Sequence, residues 1–247
     1  MPKTRMNHLL LFPLLLLIAS PARADVSRSL TVDLDGDGRT EKVSLLVKDG
    51  GQYTLSVDAA SVHGLFEGYE DPRKVELELA DVDRADNLQQ VKLSYISSID
   101  SLLSDAEHYY WYEKGRLTKI LEVPTQVESA VLLGNGIVHI TRSATFWRKR
   151  DKYLFNKSLL KLETVEQPFY YVGVEGKTEA SFPVFLERKA SAEKVASLRS
   201  NSEIQVLVSD GRGWYLVKTS TDLVGWAREA DLEKTFAQKI KDLHYSP

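Results

Sequence analysis

Apolar and polar residues alternate in short runs along most of the chain, and this period of two is the pattern of half-buried β-strands. Val, Ile, Leu, Tyr, Phe and Trp supply most of the apolar positions in these runs. The runs with this pattern are residues 41–47, 53–57, 75–79, 91–96, 109–112, 117–123, 137–141, 144–147, 159–162, 169–174, 204–208, 214–218 and 223–227. The sequence therefore predicts an all-β protein.

Turn-forming residues separate the runs at short intervals, as at residues 49–51 (Asp-Gly-Gly) and 134–136 (Gly-Asn-Gly). Short turns of this kind join antiparallel strands, so we expect an antiparallel β meander or a partial propeller-like module. Only residues 229–243 place apolar side chains three or four positions apart. They predict one C-terminal helix, and residues 101–107 favour a second, shorter one.

An acidic stretch near the N-terminus carries the clearest chemical signal. Asp33, Asp35, Asp37 and Glu41 stand at its positions one, three, five and nine, a glycine stands at six, and Arg39 at seven offers its backbone carbonyl. Calcium prefers this set of oxygen ligands, and three neighbouring aspartates repel one another without a cation. The residues that follow are strand-like, so we expect the loop between two strands. The alternative is a solvated hairpin turn rich in Asp and Gly.

The pattern D-x-D-x-D-G-x-x-[DE] leading into a strand resembles the FG-GAP or VCBS-type repeats of integrin-like β-propellers and of many exported bacterial proteins. The resemblance implies four-stranded units with a calcium loop between adjacent strands, extending over about residues 28–165. Carried onto this chain, it makes Asp33, Asp35, Asp37 and Glu41 side-chain ligands of calcium and Arg39 a carbonyl ligand.

A second copy of the loop supports a repeat. A shift of 48 residues places Asp81 on Asp33 and Asp83 on Asp35, and it also aligns apolar positions of the following strands. The copy has no acid at the fifth position or at the ninth, where it has Gln89. We expect Asp81, Asp83 and Asp86 to form a degenerate loop that binds calcium weakly or not at all. A third shift finds no acidic loop.

Residues 171–232 resemble the bacterial SH3-like domain. The resemblance rests on a strand that contains Trp214-Tyr215 and on the later pair Gly225-Trp226. It implies a small β-barrel that binds cell-wall peptides or proteins, with Trp214, Tyr215 and Trp226 as candidate ligand-binding residues. Asn201 replaces a frequent glycine, and the strand at residues 182–188 lacks the usual Asn-Val-Arg signature. The two tryptophans also fit a barrel core.

Four consecutive aromatic residues occupy positions 109–112 (Tyr-Tyr-Trp-Tyr). On a strand, successive side chains point to opposite faces, so the cluster must place rings on both faces. Tyr110 and Tyr112 are therefore candidate platforms for a sugar or a peptide. The alternative is packing under a neighbouring domain.

The N-terminus predicts export. Basic residues precede an apolar run, and Ala22-Arg23-Ala24 is an A-x-A cleavage pattern, so we assign residues 1–24 to a signal peptide. The run is too short for a membrane span, and no later segment replaces it. We expect a periplasmic or secreted protein. We divide its mature chain into a calcium-loop β domain (25–168), an SH3-like barrel (169–233) and a C-terminal helix with a tail (234–247).

Charge, composition and the absence of known motifs argue against several classes of function. The full chain has a net charge of −3 and no cysteine. Loss of residues 1–24 removes three basic residues and no acid, which argues against nucleic-acid binding. No hydrolase or nucleotide-binding motif is present, the histidines lack metal-ligand spacing, and residues 148–150 (Arg-Lys-Arg) fit a solvated turn.

Three hypotheses follow. The first is a non-enzymatic exported protein in which a calcium-stabilised β module carries an SH3-like domain that engages a cell-wall component or an envelope protein. The second is a periplasmic inhibitor or immunity protein against a peptidoglycan hydrolase. The third is an unrecognised glycan hydrolase.

Overall fold

The computed structural model describes residues 25–67, 74–97, 104–123 and 127–236. Its first twelve strands form three antiparallel sheets, each built from four consecutive strands. We call them sheet I (β1–β4), sheet II (β5–β8) and sheet III (β9–β12). Their strands are β1 Val26–Val32, β2 Glu41–Val47, β3 Gln52–Val57, β4 Ala60–Leu65, β5 Glu76–Ala80, β6 Gln90–Ser97, β7 Ser104–Glu113, β8 Arg116–Val123, β9 Val127–Leu132, β10 Ile137–Ser143, β11 Arg148–Asn156 and β12 Lys161–Thr164.

The three sheets are stacked, with sheet II in the middle. One buried cluster fills the space between sheets I and II and includes Val43, Leu45, Val91 and Leu93. A second cluster fills the space between sheets II and III and includes Trp111. Alternation along the strands supplies both faces of sheet II with apolar side chains, so both of its faces are covered.

The rest of the described chain forms a six-stranded antiparallel sheet, sheet IV, followed by one helix. Its strands are β13 Tyr170–Lys177, β14 Phe182–Phe185, β15 Lys194–Leu198, β16 Glu203–Ser209, β17 Trp214–Thr219 and β18 Val224–Arg228, and the helix is α1 Glu229–Phe236. The order β13-β16-β17-β18-β14-β15 leaves β13 and β15 at the edges. The expected small barrel is therefore, by its hydrogen bonds, an open sheet.

A third core lies on one face of sheet IV. Leu232 of α1 is fully buried in it together with Val206 and Val217. Phe146 and Trp147, from the loop between β10 and β11, also belong to this core. Sheet III and sheet IV thus share apolar contacts.

The all-β prediction with a helix near the C-terminus is confirmed. Some of the predicted elements were wrong. Residues 144–147 are a loop, and residues 148–150 begin β11 instead of forming a turn. An ion pair with Asp151 and the ring of Tyr170 accommodate the charge of Lys149. Residues 104–107 begin β7 and are not helical, since they pair with β6.

Several predictions fall on other parts of the chain. The signal peptide (1–24), residues 101–103 of the short helix and the end of the C-terminal helix beyond residue 236 lie outside the described residues. Among the described residues, no helix has the length and apolar character needed to cross a bilayer.

Candidate functional sites

The loop between β1 and β2, which we call loop 1 (residues 33–41), gathers three of its carboxylates. Oxygens of Asp33, Asp35 and Asp37 all lie within 4.8 Å of one another. Asp33 accepts hydrogen bonds from the backbone N–H groups of Gly36 (2.8 Å) and Gly38 (2.9 Å), so its side chain organises the turn. Both glycines have positive φ, 71° and 85°, a conformation that non-glycine residues rarely adopt. Loop 1 can hold a divalent cation.

Glu41, predicted as the closing ligand, does not join this group. Its side chain is 6 % exposed, and its Oε2 accepts the backbone N–H of Leu34 at 2.7 Å. Arg39 donates its own N–H to Oδ1 of Asp37 at 2.8 Å. In this geometry Glu41 fixes the two ends of loop 1 to each other, and the three aspartates carry the candidate metal site.

In the described part of the chain, no basic side chain forms an ion pair with Asp33, Asp35 or Asp37 of loop 1. The field of loop 1 reaches Tyr112 on β7. Burial raises the pKa of the Tyr112 hydroxyl, and the negative charges of Asp58, Glu41, Asp35 and Asp37 raise it further. A cation at loop 1 would relieve this potential.

In the corresponding loop of sheet II, loop 2 (residues 81–90), the protein itself supplies a cation to two of the acids. Nζ of Lys157, from the turn between β11 and β12, lies 3.1 Å from Asp83 and also pairs with Asp86. The Lys157 ammonium lowers the pKa of the Asp83 carboxyl below its usual range. Asp81 differs from Asp83 and Asp86, because its Oδ1 is buried and has no hydrogen-bond partner. The described carboxylates of loop 2 do not gather as those of loop 1 do.

Loop 2 also shows which residue replaces Glu41. Gln90 is 1 % exposed, and its Oε1 accepts the backbone N–H of Val82 at 2.7 Å. This is the same contact that Glu41 makes to Leu34, and each residue is the first of its strand. The structural counterpart of Glu41 is therefore Gln90 rather than Gln89, because loop 2 is one residue longer.

A repeated hydrogen bond links the loops of successive sheets. The N–H of Gln89 donates to the carbonyl of Leu34 at 2.9 Å, and the N–H of Gly136 donates to the carbonyl of Val82 at 2.8 Å. Gln89 and Gly136 each precede the second strand of their sheets. Sheet III thus continues the repeat with a short loop that lacks acidic residues, which is why a search for acidic loops missed it.

The aromatic cluster of β7 is buried. Tyr110 (2 % exposed) and Tyr112 (8 %) lie in the core between sheets I and II, whereas Tyr109 and Trp111 lie between sheets II and III. Alternation sends the rings to opposite faces, as predicted, but each face is covered by a sheet. Tyr110 and Tyr112 offer no exposed ring to a ligand, and we assign them to packing.

Two of the three aromatic candidates of sheet IV lie on its outer face, opposite the core. Trp214 and Trp226 are partly exposed, and Trp226 stacks on Phe169 with 6.1 Å between ring centroids. The guanidinium of Arg188 lies over both rings of that pair, at 5.2 Å from Trp226 and 5.4 Å from Phe169. Phe169 is itself 45 % exposed. The outer face therefore presents an aromatic surface with a cation.

Tyr215 points to the core of sheet IV and is 2 % exposed. Its hydroxyl accepts a hydrogen bond from Nε1 of Trp147 at 3.1 Å and donates one to Glu229 at 3.1 Å. Burial raises the pKa of Tyr215 to about 12. Tyr215 fastens the loop before β11 and the start of α1 to sheet IV, and it is not accessible to a ligand.

His108 and His139 lie on strands of different sheets. His108 is buried between sheets I and II, where its Nδ1 lies 3.0 Å from the Tyr53 hydroxyl, which also hydrogen-bonds Tyr110. Burial lowers the pKa of His108 to about 4. His139 lies on β10 in sheet III. The His108 network ties two sheets together, and Nε2 of His108 lies 3.8 Å from Oε1 of the half-exposed Glu122.

Comparison of this chain with family models, with curated proteins and with solved structures finds no match in any of the three. Its function has to be argued from its own residues.

Proposed function

We propose that the protein is an exported, non-enzymatic binding protein that engages a cell-wall component or an envelope protein through the outer face of sheet IV. One observation carries this proposal, namely the partly exposed aromatic group of Trp226, Phe169 and Trp214 with Arg188 above it. Exposed aromatic rings that lie together on one face are typical of recognition surfaces. The resemblance of these strands to the bacterial SH3-like domain supports the same ligand class.

Sheets I to III act as the scaffold in this proposal. Calcium bound by Asp33, Asp35 and Asp37 would stabilise loop 1, which lies against loop 2. The contact is close, because a Cβ on Gly36 would stand 3.0 Å from Cβ of Asn87. An ion in loop 1 therefore stabilises the junction of two sheets. It needs only the affinity of extracellular modules, about 10⁻⁴ to 10⁻³ M.

Co-sedimentation with isolated peptidoglycan tests the proposal. The purified mature protein should pellet with peptidoglycan, and Trp226→Ala should reduce the bound fraction several-fold. Leu154→Ala is a matched control, since Leu154 is 48 % exposed on sheet III. A parallel pull-down with envelope proteins covers the other partner class. Binding to neither material, or equal loss with the control variant, would contradict the proposal.

A further inference from the structure

The outer face of sheet IV is arranged in two neighbouring rows that cross the strands. In the first row, strand pairing aligns Tyr171, Val208, Leu216 and Trp226. Residues paired across antiparallel strands share a face, so these four side chains point the same way. The row covers three strand intervals, about 14 Å from Tyr171 to Trp226. It is an apolar track with an aromatic ring at each end.

The second row is polar and lies about 7 Å further along the strands. Pairing aligns Glu175, Gln205 and Lys218 on the same outer face. Nε2 of Gln205 donates to Oε1 of Glu175 at 3.0 Å, and Lys218 pairs with Asp222 at 2.8 Å. These contacts hold the polar groups in fixed positions while they remain partly exposed.

A cleft opens at this second row. It has a volume of about 530 Å³, and its lining includes Glu175, Gln205, Lys218 and Asp222 together with Thr219. The cleft is shallow and open to solvent. The apolar track thus leads directly into a polar cleft.

Two ion pairs compensate four of the five charged side chains that line the cleft, and the fifth, Glu175, accepts a hydrogen bond from Gln205. Lys218 is paired with Asp222, and Lys177 lies 3.6 Å from Glu203. An anionic ligand would have to displace Glu203 or Asp222 from its lysine. A ligand with many hydroxyl and amide groups could instead hydrogen-bond to both members of each pair. The cleft therefore suits an uncharged polar ligand better than an anionic peptide.

A β-bulge in β13 orients the exposed ring of Tyr171, which lies at one end of the apolar track. The pairing of β13 with β16 shifts between Tyr171 and Val174, and Gly173 within the bulge has φ of 68°. The ring of Tyr171 lies over Gly173, since a Cβ there would come within 2.6 Å of it. The ring is nonetheless 79 % exposed. Bulges that re-aim a side chain are common beside functional sites.

From this geometry we infer that the outer face of sheet IV binds an uncharged glycan segment, with sugar rings stacked on Tyr171 and Trp226 and hydroxyl groups bonded to Glu175, Gln205 and Lys218. The flat faces of pyranose rings stack on aromatic side chains, while their edges need polar groups nearby, and the two rows supply both. This inference rests on the proposed function and names the ligand class for the same face.

Isothermal titration calorimetry tests the inference with two probes on the mature protein, the tetramer of N-acetylglucosamine and a peptidoglycan stem peptide. The neutral tetramer should bind. Tyr171→Ala and Gln205→Ala should each weaken it by about tenfold, the loss expected for truncating a main contact. Tyr171→Phe should bind like the natural protein because it keeps the ring. Leu154→Ala on sheet III serves as the surface control.

The titrations have four possible outcomes, and each supports or overturns the inference. Tetramer binding that depends on Tyr171 and Gln205 supports the inference. Tetramer binding that neither variant changes places the site elsewhere and overturns it. Binding of the stem peptide or of whole peptidoglycan without the tetramer overturns the glycan assignment and leaves the proposed function standing. Binding of none of these materials, and of no envelope protein, overturns both.

Discussion

Loops 1 and 2 occupy the same place in consecutive sheets and balance their charge in different ways. Each begins with an aspartate after the first strand, and each is closed by a buried side chain that accepts a backbone N–H, Glu41 in loop 1 and Gln90 in loop 2. Loop 2 has the ammonium of Lys157 beside Asp83 and Asp86. Loop 1 instead brings three carboxylates together, and no basic side chain among the described residues forms an ion pair with them.

The difference shows that the loop shape and the gathering of carboxylates are separable. Backbone hydrogen bonds and one buried acceptor suffice to build the turn, because loop 2 does so with an amide. The gathered carboxylates of loop 1 are an addition to that frame, and their mutual repulsion is unfavourable unless a cation lies among them. We therefore expect loop 1 to depend on calcium and loop 2 to depend on Lys157.

The largest effect should come from the buried acceptor common to both loops. Glu41→Ala and Gln90→Ala each leave a buried N–H without a partner, which should lower the free energy of unfolding by about 2–3 kcal/mol. Glu41→Gln keeps the acceptor, as Gln90 does in loop 2, and should cost less than about 1 kcal/mol. Urea unfolding measures all three variants. Equal losses for Glu41→Gln and Glu41→Ala would contradict the equivalence of the two closing residues.

Calcium should have the next largest effect, and only through loop 1. With a Kd of about 10⁻⁴ M, 1 mM calcium stabilises the protein by about 1.4 kcal/mol, which raises Tm by about 3–6 °C. The double variant Asp35→Asn/Asp37→Asn should lose this rise and should have a higher Tm than the natural protein in a chelator, because it has less repulsion. Asp83→Asn in loop 2 is the control and should keep the calcium response.

Lys157 should matter for loop 2, with a smaller effect. Lys157→Met leaves Asp83 and Asp86 without their cation, so Tm at pH 7 should fall. The pKa of Asp83 is lowered in the folded state. The stabilisation is therefore complete above the unfolded pKa of this carboxyl and is lost as pH falls through the lower folded value. The Tm difference between the two proteins should accordingly shrink in acid.

Calcium should not rescue Lys157→Met, since the described acids of loop 2 are not gathered into a site. A calcium-dependent recovery of Tm in this variant beyond the response of the natural protein would show that loop 2 is a metal site blocked by its lysine. That result would contradict the proposed difference between loop 1, which depends on calcium, and loop 2, which depends on Lys157.

The smallest effect is on Tyr112. Burial and then the charges near loop 1 raise the pKa of its hydroxyl. Calcium at loop 1 should lower that pKa in the natural protein and leave it unchanged in Asp35→Asn/Asp37→Asn. A pH titration of tyrosine ¹³Cζ signals, with Tyr112→Phe for assignment, measures the shift. A calcium-dependent shift that persists in the double variant would place the ion elsewhere.

The strands whose sequences alternate cleanly could be predicted, and the charged strand could not. The interval 41–47 coincides with β2, because alternate residues there face the core. β11 begins with Arg148-Lys149-Arg150, which looks like a solvated turn. In the structure Asp151 is buried, and it pairs with Lys149 of the same strand at 3.1 Å and with Arg142 of β10 at 3.6 Å. The charge of Lys149 is therefore compensated within sheet III.

Only those parts of the candidate sites whose residues are neighbours in sequence could be predicted. The acidic residues of loop 1 are neighbours in sequence, and their grouping follows from the turn. Lys157 could not be found this way, since it lies 71 residues from Asp86 and meets it only through stacking of sheets II and III. The row from Tyr171 to Trp226 likewise depends on the order of strands in sheet IV. Loop 2 has one extra residue, so a constant shift of 48 residues aligns Glu41 with Gln89 instead of with its structural counterpart Gln90.

Calorimetric titration of the chelator-treated mature protein with calcium tests the contrast between the loops most directly. We predict one calcium ion per chain for the natural protein and for Lys157→Met, and none for Asp35→Asn/Asp37→Asn. No bound ion in the natural protein would contradict the assignment of loop 1, and two would contradict the assignment of Lys157 as the cation of loop 2.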